Sequence, residues 1–257
     1  MSKKISKIFK FAKFLFIKYK KFKNIIIDIL FPRFCLKCQK EGDWICPDCL
    51  STISILEYEY CPFCMQRISE KNTCSKHQNK NLDKLFFAIS YENSLTRKVI
   101  KKFKYPPFLR ELTPYFCYLI ISHFLSIKNK TILEDKDNSF LIPVPISPSR
   151  KRWRGYSESE EIAKQLSISL KIPISTNNLI KIKKTEPQSK LPKIQRIENV
   201  KNVFKIKNAQ EIEDKRIFLV DDVFTTGATM EECARTLKNA GARNVFGIAI
   251  AREGLIE

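Results

Sequence analysis

The sequence predicts an α/β fold: a parallel sheet flanked by helices, preceded by a small cysteine-rich module and a basic amphipathic N-terminal helix. Three observations carry this. Two continuous apolar runs, FLIPVPI at 140–146 and IFLV at 217–220, have the length and composition of strands buried on both faces. Helical patterns alternate with such runs along the second half of the chain, the order expected of a doubly wound sheet. Seven of the nine cysteines and one of the two histidines are crowded into residues 35–77, ahead of all of this.

Residues 3–30 place Ile5, Ile8, Phe9, Ala12, Leu15, Phe16, Tyr19, Phe22, Ile26, Ile29 and Leu30 at steps of three and four, with lysines filling the other face and Pro32 ending the pattern. The segment 1–34 carries nine Lys and Arg33 against Asp28, so about half of the chain's net +20 sits here. Its apolar stripe packs on its own domain or on a second copy, or the arm lies on an anionic membrane surface or on nucleic acid. The other lysines follow a general Lys, Ile, Asn and Phe bias and are a weak sign of a nucleic-acid partner. The longest apolar stretch, 115–125, falls well short of the roughly 20 residues of a membrane span. Lysines interrupt the N-terminal apolar residues, unlike a signal peptide. A cytoplasmic protein is expected.

Residues 35–77 read C-x2-C-x7-C-x2-C and then C-x2-C-x9-C-x2-H. A Cys-x2-Cys turn brings two thiolates onto one tetrahedral ion, and two such turns close its shell. Structural zinc is therefore expected, held most simply by Cys35, Cys38, Cys46 and Cys49 and, at a second ion, by Cys61, Cys64, Cys74 and His77; crossed pairing stays open. A disulfide framework fits poorly in a chain without secretion cues. Cys117, Cys233 and His123 lie in helical patterns and read as core.

After this module, 86–91 reads as a strand, 95–103 and 112–125 as helices, 157–171 and 229–240 as helices, and 245–251 as a further strand, with Gly241 stopping the helix before it. Residues 181–202 are polar, contain two prolines and read as a long loop of the kind that covers active sites. The domains expected are 1–34, 35–80 and 81–257.

The chemistry concentrates at 217–229, IFLVDDVFTTGAT. Ligands of open parallel sheets bind at the carboxyl ends of strands, and Asp221 and Asp222 stand at such an end. Adjacent carboxylates repel unless a cation or hydroxyls lie against them; a sugar diol or a divalent cation meets that need. Thr225, Thr226, Gly227, Ala228 and Thr229 then offer backbone N–H groups, hydroxyls and a helix N-terminus, an anion nest. Together these spell a ribose phosphate. A P-loop nucleotidase also ends a strand on Asp, but the glycines at 42, 155, 227, 241, 247 and 254 include no pair five apart, so its phosphate loop is absent.

This stretch resembles the signature of type I phosphoribosyltransferases, which bind 5-phosphoribosyl-1-diphosphate (PRPP). The wider chain, from about Cys35 to Arg252, resembles the ComF family, competence proteins that join a zinc ribbon to that fold. The resemblance is carried by PVP at 143–145, K-R-x-R-G-Y at 151–156, T-x-P-Q-S-x-L at 185–191, R-x-x-N-V at 196–200, the PRPP signature and the closing Ala251-Arg252. It implies that Asp221 and Asp222 hold the ribose hydroxyls and magnesium, and that Thr225 to Thr229 cradle the 5-phosphate. The loop from Ser147 to Arg150 would hold the diphosphate, with Arg154 and Tyr156 following, and a loop carrying Gln188, Lys190 and Arg196 would close over the site. Ser157 stands where the family usually has Asn, and its hydroxyl replaces one amide hydrogen bond but not two. The resemblance further implies a role in single-stranded DNA uptake during natural transformation. PRPP, single-stranded DNA, the competence helicase and other DNA-uptake proteins are the partners it suggests, with the anionic membrane surface reached through residues 1–30. The alternative is a transferase that moves phosphoribose from PRPP to a nucleobase or other acceptor.

Overall fold

The computed structural model describes residues 30–68, 74–127, 135–183, 185 and 193–254. The amphipathic stripe before Leu30, and Gln188 and Lys190, lie outside the described residues. The chain divides into two compact units, Met1–Thr52 and Ile53–Glu257.

In the first unit, an isolated bridge joins Phe34 to Glu41, and Pro47–Leu50 forms one helical turn, α1, opened by a proline at its first position. The second unit begins with a short antiparallel hairpin, β1 (Glu59–Tyr60) and β2 (Arg67–Ile68). Four parallel strands follow as its centre, in the order β3 (Lys84–Ser90), β9 (Asn244–Arg252), β7 (Arg216–Val220), β4 (Ser139–Pro143). A two-residue strand, β8 (Val223–Phe224), resumes the pairing on β9 just past the end of β7.

The strands alternate two apolar faces. Leu85, Phe87, Ile142, Ile217 and Leu219 enter one core together with Met230, Cys233 and Leu237 of the helix α7 (Ala228–Asn239). Phe86, Phe218 and Phe246 point to the other, where Phe218 and Phe246, paired in register, place their ring centroids 5.2 Å apart. That side is covered by α3 (Thr113–Ser126) and α5 (Glu158–Leu170), with α2 (Ser94–Lys104) packed beside them through Phe103 on Phe116. α2 shows why such segments become helices. Leu95, Val99 and Phe103 are buried at a spacing of four, and the Asn93 side chain accepts from Leu95 N and Thr96 N, capping two otherwise orphaned donors.

The expected strands and helices are present, with two differences. The segment after PVP is a short helix, α4 (Pro148–Arg154), capped by Ser147, whose Oγ accepts from Arg150 N. The long polar segment is an arm: β5 (Leu179–Lys181) pairs antiparallel with β6 (Phe204–Ile206), and α6 (Lys193–Val200) lies between them. Its polarity hid a helix whose one deep anchor among its described side chains is Val200. Cys117, Cys233 and His123 are buried as expected, and His123 Nδ1 lies 2.6 Å from the Leu56 carbonyl.

Gly247 lies in mid-strand where a Cβ would approach Met230 Sδ to 2.4 Å and Leu85 Cδ1 to 2.7 Å. Gly247→Ala should therefore separate α7 from the sheet and destabilise the protein by about 1–3 kcal/mol, read by denaturant titration.

Candidate functional site

β7 ends on Val220 and the chain steps through Asp221 and Asp222 before β8 rejoins β9. The step is held by the backbone: Asp221 N donates to Ile248 O at 2.9 Å and Ile250 N to Asp222 O at 3.0 Å. Both carboxylates are thus fixed at the carboxyl end of the sheet. Asp221 Oδ1 accepts from Ser159 Oγ and from Asp222 N, each at 2.9 Å. Asp222 Oδ1 accepts from Val223 N at 2.6 Å, and its Oδ2 meets Lys104 Nζ at 2.9 Å. Burial, and then the neighbouring charge of Asp222, push the Asp221 carboxyl up from 3.8 to about 7. Burial pulls the Lys104 ammonium down, but Asp222, Asp221 and Glu158 together outweigh it and hold it above the ordinary lysine value.

Lys104 is the last residue of α2, and sequence reasoning missed it because nothing in its spacing marks it among the other lysines and the arginine of that helix. Tyr156 positions it. Its hydroxyl donates to the carbonyl of Phe103, and its ring packs 5.5 Å from the Phe103 ring. Tyr156, which the resemblance places among the ligand contacts, is buried with its hydroxyl on Phe103. Arg154 likewise turns to Glu158, with which it forms a buried ion pair, and its guanidinium carbon lies 5.9 Å from the ring centroids of both Tyr105 and Trp153. Burial and the charge of Asp222 raise the Glu158 carboxyl against the pull of Arg154 and Lys104. Charges of alternating sign thus surround the aspartates. The expected diphosphate loop is the capped start of α4, where Ser147 Oγ and Ser149 Oγ stand 3.1 Å apart.

The loop Thr225–Gly227 leads into α7, which begins without a side-chain cap. Gly227 takes φ +80°, and a Cβ there would lie 2.4 Å from Phe224 Cζ. Phe224 is therefore the floor of the turn. Phe63, from the second cysteine cluster, packs edge-on against it at 6.5 Å, and Arg252 at the end of β9, 5.6 Å from its ring centroid, donates from Nη2 to Pro62 O at 2.7 Å. A second brace comes from α7 itself. The Glu231 carboxylate accepts from Asn81 N and Asn81 Nδ2 at 2.9 Å and from Leu82 N at 3.1 Å. Arg196 lies on α6, partly buried.

The eight expected metal ligands form two groups in chain order, Cys35, Cys38, Cys46, Cys49 and Cys61, Cys64, Cys74, His77, with the ligand atoms of each within 4.8 Å of one another. No crossed pairing occurs. Cys38 Sγ and Cys46 Sγ are 3.6 Å apart, as are Cys64 and Cys74; His77 Nδ1 is 3.5 Å from both Cys61 and Cys74. Zn–S bonds of about 2.3 Å in a tetrahedron give edges of about 3.8 Å, so both clusters fit zinc. Their electrostatics agree. Burial, and then the three neighbouring sulfurs, drive the Cys49 thiol to about 12, so the cluster needs a cation before all four ionise. Burial likewise raises Cys61 to about 11. All nine cysteines are free.

Residues 156–253 match the phosphoribosyl transferase domain family, and residues 26–78 match the double zinc ribbon domain. Competence protein F of Haemophilus influenzae is 37% identical over 114 residues, 44% of this chain and 49% of that protein, so the match spans about half of its length. Competence protein ComFC of Streptococcus pneumoniae is 24% identical over 219 residues, 84% of this chain and 91% of that protein. DNA utilization protein YhgH of Salmonella typhimurium is 28% identical over 136 residues, 52% of this chain and 58% of that protein. A double zinc ribbon followed by a phosphoribosyltransferase-type sheet, with an acidic pair at the end of β7, defines the class. Within it, the chain is similar to the competence and DNA utilization proteins just named.

The raised Asp221 carboxyl has a definite pH sign. The folded state binds its proton more tightly than the unfolded state, so stability falls as pH rises from about 4 to about 7, and the full cost is present above that range. Asp221→Asn in zinc-replete, magnesium-free buffer should melt a few degrees higher than the parent at pH 8, the gain shrinking toward nothing near pH 4, followed by calorimetry. For the clusters, metal analysis should find between one and two zinc ions per chain. Cys38→Ser should lose one and unfold the first cluster, because ligand bonds supply most of the folding energy of so small a unit. A disulfide between Cys35 and Cys74 with no zinc would refute the assignment.

Proposed function

We propose that this chain assists uptake of single-stranded DNA in natural transformation and carries a site for PRPP with magnesium. The observation that carries the reading is the Asp221–Asp222 pair, fixed at a sheet end beside an uncapped helix N-terminus. The names of its relatives, competence and DNA utilization proteins, support the biological role. Asp221 and Asp222 would take the ribose hydroxyls and the metal; hard carboxylate oxygens suit magnesium, and Lys104 already supplies a positive charge at Asp222. Magnesium, when bound, supplies positive charge against the diphosphate. Thr225, Thr226, Gly227, Ala228 and Thr229 would hold the 5-phosphate through N–H groups and hydroxyls. Ser147 and Arg150 at the start of α4 would meet the diphosphate, and Arg196 would approach from the arm. Tyr156 and Arg154 act through Lys104 and Glu158, setting the charge around the aspartates.

We place the protein in the cytoplasm, with residues 1–30 as its contact with the inner membrane, and the competence helicase and other DNA-uptake proteins among its partners. No helix of the described residues is long and apolar enough to cross a membrane. The second reading, a transferase acting on a nucleobase or other acceptor, is favoured by the intact acidic pair and by the arm of β5, α6 and β6, which would exclude water.

Isothermal titration with PRPP and magnesium, repeated with oligonucleotide present, tests the reading. Changing Asp221 and Asp222 together to Asn should weaken magnesium-dependent PRPP binding at least tenfold while the fold survives; unchanged affinity would sink the site. Consumption of PRPP in the presence of a nucleobase, and not of DNA, would favour the transferase.

A further inference from the structure

The face beside the aspartates combines two features that a folded surface does not require. Trp153 on α4 is 57% exposed and Tyr105, just past α2, is 47% exposed. Phe108 packs edge-on against Trp153 at 5.1 Å, interplanar angle 89°, so the Trp153 indole is held upright. Arg154 lies 5.9 Å from the rings of Tyr105 and of Trp153, which ties the α2 and α4 segments into one aromatic platform.

The two helices that end at the platform also carry exposed cations. Arg97, Lys98 and Lys101 form the solvent face of α2, and Arg152 is exposed on α4. Among the described residues these four make no ion pair, whereas Lys104, Lys151 and Arg154 are matched to Asp222, Glu160 and Glu158. All four are exposed.

We propose that this platform of Tyr105, Phe108 and Trp153, flanked by Arg97, Lys98, Lys101 and Arg152, is where the chain holds single-stranded DNA. The proposal rests on the DNA-uptake reading and gives it a place. An exposed indole and phenol offer flat apolar faces to unpaired bases, and cations on either side track the phosphates. A duplex keeps its base faces stacked inside and has nothing to offer Trp153. An acidic protein would satisfy the cations but would leave the ring faces without partners of their own shape.

The test uses the full chain, labelled oligo(dT) and fluorescence anisotropy, with PRPP affinity measured on the same samples. Trp153→Ala and Tyr105→Ala should each weaken oligo(dT) binding roughly 5- to 100-fold, and Trp153→Phe should keep most of it. Lys101→Gln should lower the salt slope by about 0.7, because one phosphate is no longer neutralised. Melting temperature and PRPP affinity should stay as in the parent, and the same sequence as duplex should bind more weakly. A parent that binds oligo(dT) while Trp153→Ala and Tyr105→Ala bind it equally well overturns the surface but leaves the DNA reading standing. A parent that binds no oligo(dT) overturns both, whatever its PRPP affinity. If the same two variants release anionic phosphatidylglycerol vesicles while oligo(dT) binding stays intact, the platform is a membrane contact and the proposal is overturned.

Discussion

Two carboxylates on consecutive residues, at the end of a fully buried strand, are the constraint around which this fold is arranged. Left alone they would repel and pull water into the sheet. Three elements prevent this: α2 brings Lys104 to Asp222, α5 brings Ser159 to Asp221, and β9 takes the backbone of both residues. Lys104 in turn depends on Tyr156, whose hydroxyl fixes the carbonyl just before it. The burial of Tyr156 and the pairing of Glu158 with Arg154 are consequences of the same requirement. The compensation is incomplete, since burial and the charge of Asp222 still raise the Asp221 carboxyl well above its ordinary value. A site whose charges were fully matched would have nothing left for a metal or a diol.

The second cysteine cluster belongs to the same arrangement. It lies in the larger unit and touches the turn after the aspartates through Phe63, against Phe224, and through Pro62, whose carbonyl holds Arg252 of β9 on the same ring. Gly227 is glycine because Phe224 occupies the space of a side chain. Phe224 stays there because the cluster and Arg252 pack its other side. Lys84 and Glu59, ion-paired at 3.1 Å and buried, join the same hairpin to β3. Zinc held in that cluster would thereby stiffen a turn that contains none of its ligands.

Much of this was legible in the sequence, for identifiable reasons. The run IFLV followed by two aspartates declares both a buried strand and a functional end, because burial and charge seldom meet without a ligand. The C-x2-C spacings fix the ligand types, although only the folded chain decides that the groups close in order. The bond from Tyr156 to Phe103 was not legible, because a motif gives proximity along the chain and not the direction of a side chain. The segment 181–202 read as loop because α6 leaves most of its surface to solvent, so its helical period carries few apolar residues. Lys104 could not be found at all. It comes from a helix remote in sequence, in a chain where lysine is common, and its role exists only where α2 ends against the sheet.

That ending would join the two proposed sites of the larger unit. Phe103, Lys104 and Tyr105 are consecutive. The first is buried and held by Tyr156, the second is inside on Asp222, and the third is outside beneath Arg154. Arg154 itself is shared, since its guanidinium pairs with Glu158, whose carboxyl feels Asp222. A cation added at the aspartates competes with Lys104 for Asp222 and lowers the field at Glu158, and both changes act on residues adjoining the exposed rings. A base stacked on those rings presses on the same helix end from the other side. Any differential affinity between the two arrangements couples the sites reciprocally. The contacts that could carry it are the α2 terminus at Lys104 and the buried pair of Arg154 with Glu158.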